Sequence, residues 1–433
     1  MSFAKEQNGF PRMCHVRQLF PLSGVVNIDS SLSKQFESSG VLSRIKSGQR
    51  IAIAVGSRSI TNLDAVLHCV VKMVSSRDAT PFLVAAMGSH GGGTPDGQRE
   101  VLATYDITEE SFGVSINTSM EVEDLGTTPD GVRIQFSSEA LRADGIIIVN
   151  RIKPHTDFTG AIGSGVLKMM VIGLGKRRGA ATYHAAANHF GHEHVIRTAA
   201  RIILKRAPIL CGVGIIENQS HLTEKVELIK PADFEAREEQ LLEEARTLLA
   251  RLPFEDIDLL IVDRIGKNIS GAGMDPNVIG RAVQGYSALF PRTDELTPNI
   301  RRIFVRDLTT ETHGNAIGIG LADFTTSRAV KAINKETSYI NALTALTPQT
   351  VKIPIHFDTD KEAISNALNS LALRDTSAAR IVRISDTLSL EIMQVSEAFV
   401  SEVVDDRRLV SLDHVNELAF DNSDNLLPIF NHA

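Results

Sequence analysis

The chain has few cysteines, no excess of basic residues and no long apolar run. Its three cysteines form no CxxC pair, so neither a zinc ribbon nor a disulfide framework is encoded, and we interpret each as a small buried residue. Acidic residues outnumber basic ones, 52 to 45, which argues against a nucleic-acid-binding surface. No run of eighteen apolar residues occurs, and the first twenty residues lack the apolar stretch of a signal peptide. We therefore expect a cytoplasmic protein without membrane spans.

The composition is that of an ordinary globular protein. The 433 residues are 43% hydrophobic and 22% charged, with a formal net charge of −7. A chain of this length is expected to form about two domains, each with a core of its own. The acidic balance is compatible with a small anionic ligand held by a few local cations.

Short apolar runs recur along the chain, each followed by a polar or glycine-rich loop. They are IAIAV (51–55), FLVAAM (82–87), GIIIVN (145–150), ILCGVGI (209–215) and LLIVD (259–263). Continuous apolar runs of this length are typical of strands buried on both faces, and their alternation with helical patterns indicates a mostly parallel sheet. The sequence therefore predicts an α/β fold.

A polar stretch from 232 to 252 separates two such α/β patterns. It has Leu and Ala on one helical face and charges on the other, which predicts a solvated surface or connecting helix. We place the domain boundary near 255, between an N-terminal α/β domain (1–255) and a C-terminal α/β domain (256–433). The active-site cleft is predicted to lie between them.

Reactive side chains follow several of the predicted strands. Arg58, His90, His155 and Lys267 each come within five residues of the end of an apolar run. Ligands of open α/β sheets bind at the carboxyl ends of the strands, so these residues together indicate a site. For any one of them, the alternative is an ordinary polar loop residue.

The loop GSHGGGTPDG (88–97) is rich in glycine. Glycine lets the backbone approach a ligand closely, but the loop matches neither the phosphate-binding P-loop nor the dinucleotide fingerprint GxGxxG. We interpret it as a tight turn that directs His90 into a cleft.

The segment 151–195 is the richest in candidate residues. Pro154 favours an extended Lys153 and so fixes the direction of His155, and three glycines precede Lys168. We expect Lys176 to be exposed to solvent. Four histidines follow, at 184, 189, 192 and 194; their spacing is not HExxH, so no hydrolytic zinc site is indicated, although one of them could bind a metal. His192 and His194 are predicted to lie on a surface helix.

A further glycine-rich loop, 265–281, carries Lys267, Asp275, Asn277 and Arg281. Asp275 is predicted to cap the following helix. Lys267 or Arg281 could reach a carboxylate in the cleft. His313 and Asn315, farther along the chain, are weaker candidates.

Two histidines on separate loops can act as acid and base on opposite faces of one small substrate, which suits racemisation. An arginine beside them suits recognition of a carboxylate, so a 2-hydroxy acid is a natural substrate. No side chain accepts a hydride, so a redox route would need a cofactor. The residues alone leave proton abstraction and hydride transfer both open.

The order of these motifs resembles the nickel-dependent lactate racemase superfamily, whose members carry a nickel-pincer nucleotide derived from nicotinic acid mononucleotide. The motifs are GSRS with Arg58, GSHG with His90, IKPH with His155, GSGVLK with Lys168 and TYHAA with His184. The resemblance implies that His90 and His155 are the acid/base pair, that Lys168 is linked to the cofactor's thioamide and that His184 binds nickel.

The resemblance further implies a racemase or epimerase of a small 2-hydroxy acid that works by reversible hydride transfer to the cofactor. We assign binding of the substrate's carboxylate to Arg58, Lys267 and Arg281. Ser57 and Ser89 are assigned to cofactor binding, in addition to Lys168 and His184. The chain has no tryptophan, whereas the lactate enzymes place one near the substrate, so we expect a 2-hydroxy acid other than lactate. Cofactor-synthesis enzymes are expected as transient partners, and a homo-oligomer is compatible with the sequence.

Two other functions stay open. One is a cofactor-independent or divalent-metal hydrolase or lyase that acts on a small carboxylate substrate through His90 and His155. The other is a non-catalytic module that binds a nucleotide or a sugar acid.

Overall fold

The computed structural model describes residues 9–21, 23–24, 27–57, 60–156, 158–281, 283 and 298–429. They divide into two compact units, one within residues 22–249 and one that combines the residues up to 21 with those from 250 onward. The chain therefore divides a few residues before the predicted boundary at 255. Its first described strand also joins the C-terminal unit, because that strand hydrogen-bonds to two strands near the end of the chain.

The described residues form sixteen strands. In chain order they are β1 (Met13–Gln18), β2 (Arg50–Val55), β3 (Thr80–Ala85), β4 (Ile116–Asn117), β5 (Val122–Thr127), β6 (Arg133–Ser137), β7 (Gly145–Arg151), β8 (Ile209–Glu217), β9 (Thr223–Ile229), β10 (Asp256–Ile265), β11 (Asn299–Leu308), β12 (Phe324–Thr326), β13 (Ile355–Phe357), β14 (Ile381–Ile384), β15 (Ile392–Ser396) and β16 (Leu409–Ser411).

The same residues form fourteen α-helices and one π-helical segment, Met169–Gly173. The helices are α1 (Ile28–Ser39), α2 (Leu63–Ser75), α3 (Pro95–Ala103), α4 (Glu109–Phe112), α5 (Ser138–Leu141), α6 (Val166–Lys168), α7 (Lys176–Phe190), α8 (His192–Arg206), α9 (Phe234–Thr247), α10 (Pro276–Ile279), α11 (Ser327–Ala332), α12 (Lys335–Thr344), α13 (Asp360–Asn369) and α14 (Val400–Asp405).

The N-terminal unit is built on a six-stranded sheet in the order β4-β3-β2-β7-β8-β9. All neighbouring strands are parallel except β8 and β9. The central strands are buried on both faces: along β2, Ile51 and Ile53 pack into one core cluster, with α1 and α2, while Ala52 and Ala54 pack into another, with α7 and α8. This two-sided burial explains the continuous apolar runs, and it confirms the predicted α/β class.

The C-terminal unit contains an eight-stranded sheet in the order β13-β12-β11-β10-β14-β15-β1-β16. In this order, the first five strands, β13 to β14, are parallel to their neighbours. The pairs β14-β15, β15-β1 and β1-β16 are antiparallel. β1 lies between β15 and β16, which draws the beginning of the chain into this sheet.

Helix α9 corresponds to the predicted polar helix, but it is more buried than its charge suggests. It packs Phe234, Leu241 and Leu242 into the core of the N-terminal unit, and with them Glu238, which is only 1% exposed. The predicted division into an apolar and a charged face holds, but one acidic residue, Glu238, is buried with the apolar face, because an amphipathic pattern does not show which acidic residue points inward.

The three cysteines are buried and unpaired, as predicted. Within the described ranges, no helix combines the length and the apolar character that a membrane crossing requires.

Candidate functional site

The candidate site lies at the carboxyl end of the N-terminal sheet. β2 is hydrogen-bonded to β3 on one side and to β7 on the other, so the loops that follow these three strands are neighbours. Ser57 follows β2, His90 follows β3 and His155 follows β7. Two strand spacings of about 4.8 Å separate the ends of β3 and β7, so their loops begin roughly 10 Å apart.

His90 is held by a turn that only glycine can form. Gly91 and Gly93 both have a φ of +62°, and a Cβ on either would lie 2.6 Å from its nearest neighbour, the carbonyl carbon of Gly97 or Cδ of Arg177. Nδ1 of the exposed His90 ring hydrogen-bonds to Oγ of Ser57. The strand-end arrangement thus brings two of the predicted site residues into contact.

Gln98, a residue that the sequence did not point to, supports this turn. Its side chain is fully buried, and Nε2 donates to the carbonyl oxygens of Gly88 (3.1 Å) and His90 (3.2 Å). The backbone of the His90 loop is therefore fixed from α3 below it.

His155 lies directly against Lys168. The backbones of Lys153 and Ser164 exchange two hydrogen bonds of 2.9 Å, which fold the loop back on itself. As a result, Nζ of Lys168 lies 2.6 Å from Nε2 of His155. A lysine ammonium can donate to this nitrogen only when the imidazole is neutral.

A row of aromatic rings extends from His155. Its ring stacks on Phe158, with centroids 4.4 Å apart, and Phe158 also stacks on His192, with centroids 4.8 Å apart and nearly parallel planes. The ring of His184 meets His192 edge-on at 5.9 Å. His155, Phe158, His192 and His184 form what we call the ring cluster.

His192 lies on a helix, as predicted, and it is half-buried. α7 ends at Phe190, Gly191 turns the chain with a φ of +81°, and α8 begins at His192. The sequence did not predict that the His192 ring contacts Phe158 and His184. His194 does lie at the surface, where Nε2 is 2.7 Å from the carboxylate of Asp130.

The surroundings of His155 are positively charged. Burial lowers the pKa of His155 well below its usual range, and Lys168, His192, His184 and Lys153 lower it further by charge repulsion. The imidazole is therefore neutral near pH 7, which is the form that can accept a proton.

Lys176 is not exposed, contrary to the expectation from the sequence. Its side chain is fully buried, and Nζ donates to the carbonyl oxygen of Ala85, at the end of β3, over 2.6 Å. Burial lowers its pKa to about 8. The three consecutive cations at 176–178 suggested a solvated surface, but the side chain of the first, Lys176, points inward to the end of β3.

The remaining candidates are Arg58, Ser89, Lys267 and Arg281. Arg58 falls outside the described residues, and Ser89 is a half-buried residue of the turn before His90. In the C-terminal unit, Nζ of Lys267 donates to the carbonyl of Gly271 (2.9 Å), and Arg281 pairs with Asp323 at 2.6 Å. Both of these contacts are made within the C-terminal unit.

Other predictions for the C-terminal unit concern turns. Asp275 caps α10 by accepting a hydrogen bond of 2.9 Å from the amide of Asn277, as predicted. His313 has a φ of +49°, and Oδ1 of Asn315 accepts from the amide of Ile317, so both contribute to local turns. Across the described parts of the chain, no three acidic, histidine or cysteine side chains converge as metal ligands.

Comparison with known protein families matches most of the N-terminal unit. Residues 21–194 match the family model described as the lactate racemase N-terminal domain. The resemblance carried by the sequence motifs is therefore confirmed for this region.

Two solved structures are among the matches to this chain. The lactate racemase apoprotein from Thermoanaerobacterium thermosaccharolyticum is 13% identical, with a TM-score of 0.50, over 90% of this chain and 96% of that one. A protein from Thermotoga maritima solved by a structural genomics consortium is 13% identical, with a TM-score of 0.48, over 75% of this chain and 82% of that one. A search of curated proteins finds no match. At these identities the first structure supports the α/β fold alone.

Proposed function

We propose that this protein is a racemase or epimerase of a small 2-hydroxy acid, with His90 and His155 as the acid/base pair and reversible hydride transfer as its chemistry. The observation that carries the proposal is the 2.6 Å contact between Lys168 and His155, beside a ring cluster that contains His184. The family motifs give these three positions connected roles, and they are close together in the fold.

The lowered pKa of His155 fits the role of base. A neutral imidazole can take the hydroxyl proton of the substrate and return it later, and the flanking cations favour its rapid release. Ser57 orients the ring of His90 through Nδ1, so that His90 can serve as the partner on the other side of the substrate. Proton transfer from two sides allows the same reaction to run from either enantiomer.

The cofactor we propose is the nickel-pincer nucleotide, and the donor set fits it. A mononucleotide is anionic, and Lys153 and Lys168 place positive charge beside His155 in a chain of net charge −7. Lys168 would hold the cofactor through its amine, His184 would give the imidazole ligand to nickel, and Ser57 and Ser89 would contact the nucleotide. When bound, the cofactor supplies the hydride acceptor that side chains lack.

The substrate's carboxylate would be held by Arg58, Lys267 and Arg281. Since the chain has no tryptophan, we propose a 2-hydroxy acid other than lactate. We also propose a cytoplasmic protein that meets the cofactor-synthesis enzymes transiently.

The test uses the full chain produced together with those enzymes. Single enantiomers of a panel of 2-hydroxy acids are incubated with it and followed by chiral chromatography, alongside nickel analysis. We expect stoichiometric nickel and racemisation of at least one acid, with at least a hundredfold loss in H155Q and in H90Q. Full activity of cofactor-free protein with added zinc or magnesium would instead support the hydrolase or lyase, and binding without turnover under every condition would support the binding module.

A further inference from the structure

Glu238 is a buried acid that packs against the segment carrying Lys168. It lies on α9 and is 1% exposed, and its Oε2 accepts a hydrogen bond of 2.9 Å from the backbone amide of Leu167. The amide of Val166 also acts on this carboxylate and lowers its pKa. Both amides belong to the first turn of α6, whose N–H groups have no partner within the helix itself.

The approach is close enough to require a glycine. A Cβ at Gly165 would lie 2.3 Å from Oε1 of Glu238, so any side chain there would displace the acid. The carbonyl of Gly165 is held from the other side by Nδ2 of Asn150, at 2.7 Å. The residue before α6 is therefore fixed between α9 and the end of β7.

Only part of the carboxylate is satisfied by these bonds. Oε1 is buried and makes no hydrogen bond with the part of the chain that the structure describes. Burial raises the pKa of Glu238 to about 7, while the amides of Leu167 and Val166 and the charge of Arg197, on α8, oppose that rise. Burying an acid without satisfying both of its oxygens is unfavourable, which suggests that Glu238 has a role beyond packing.

We propose that Glu238 is the positioning residue of Lys168: its carboxylate anchors the first turn of α6 and thereby maintains the contact between Lys168 and His155. Lys168 is the third residue of that turn and directly follows Leu167, whose amide the carboxylate holds. Protonation removes the charge from the acceptor and weakens its bonds to the two amides. The chemical role of Lys168 rests on the proposed function, whereas the anchoring does not.

Amide hydrogen exchange of the full-length chain tests this. We expect the amides of Val166 and Leu167 to lose roughly tenfold in protection in E238Q, because an amide oxygen is a weaker acceptor than a carboxylate. E243Q is the matched control, since Glu243 lies on the same helix, is 65% exposed and pairs with Arg246. Protection of β2 should be equal in both variants.

A second readout separates positioning from general loosening. Lys168 lowers the pKa of His155, so E238Q should raise that pKa, whereas E243Q should leave it unchanged. Wild-type protein gives a third readout if E238Q does not fold: protection of the two amides, corrected for intrinsic exchange, should fall as the pH is lowered through about 7.

Equal protection and an equal His155 pKa in E238Q and E243Q would overturn the proposal, as would pH-independent protection in wild-type protein. All three readouts use protein without turnover. A chain that passes them and racemises no acid would therefore refute the proposed function and leave the role of Glu238 intact.

Discussion

Replacing Lys168 with methionine should raise the pKa of His155. Nζ of Lys168 lies 2.6 Å from Nε2 of His155, so a protonated imidazole would face an ammonium at hydrogen-bond distance. A unit charge about 4 Å from the centre of the ring costs about 1 kcal/mol in water and about 4 kcal/mol at a protein-like dielectric constant. The half-buried site lies between these limits, so K168M should raise the pKa by roughly one to two pH units.

The assay is an NMR titration of protein labelled at histidine. The chain has thirteen histidines, so the His155 resonance is assigned by its absence in H155Q. K205M is the control, because Lys205 is exposed at the end of α8. Burial alone would still hold the pKa of His155 below 6.5 in K168M. An unchanged pKa would refute the view that Lys168 tunes His155.

Two further predictions concern stability. The pKa of His155 is lower in the folded state than in the unfolded state, so the free energy of unfolding should fall as the pH drops below about 6.5, by up to about 1.4 kcal/mol per pH unit. Urea titrations at several pH values should show that H155Q lacks this contribution. An equal dependence of the unfolding free energy on pH in H155Q and wild-type protein would contradict the lowered pKa. In the C-terminal unit, R383M should cost about 3 kcal/mol in chemical denaturation, because Arg383 is 1% exposed and pairs with Asp263 through two bonds of 2.8 and 2.9 Å. This loss of unfolding free energy is at the lower end of the range for a broken buried ion pair, because Arg306 still contacts Asp263. A loss below about 1 kcal/mol would contradict a role of Arg383 in stability.

Much of the N-terminal fold could be predicted from the sequence because its strands are buried on both faces. Runs such as IAIAV and GIIIVN therefore carry no polar interruption, and the loops after them stand out. The position of β1 could not be predicted in the same way. Its pairing with β15 joins residues almost four hundred positions apart, and no local pattern records such a contact.

Within the site, the sequence motifs predicted contacts between residues of one segment better than contacts between residues far apart in the chain. His155 and Lys168 stand in one segment and do meet. The burial of Lys176 and Glu238 and the ring contacts of His192 could not be predicted, because each is a polar residue in a polar stretch and its direction depends on a local feature of the backbone. For His192 the signal was Gly191, whose positive φ ends one helix and begins the next. For Glu238 it was Gly165, which leaves room for the acid.

Substrate deuterated at C2 distinguishes reversible hydride transfer from proton abstraction at carbon. Protein matured with its cofactor racemises the labelled acid in ordinary water, and mass spectrometry follows the label in both enantiomers. We predict that the deuterium stays on the carbon, because a hydride that leaves and returns within the site does not exchange with solvent. Loss of the deuterium to water at the rate of racemisation would contradict hydride transfer and indicate proton abstraction at carbon.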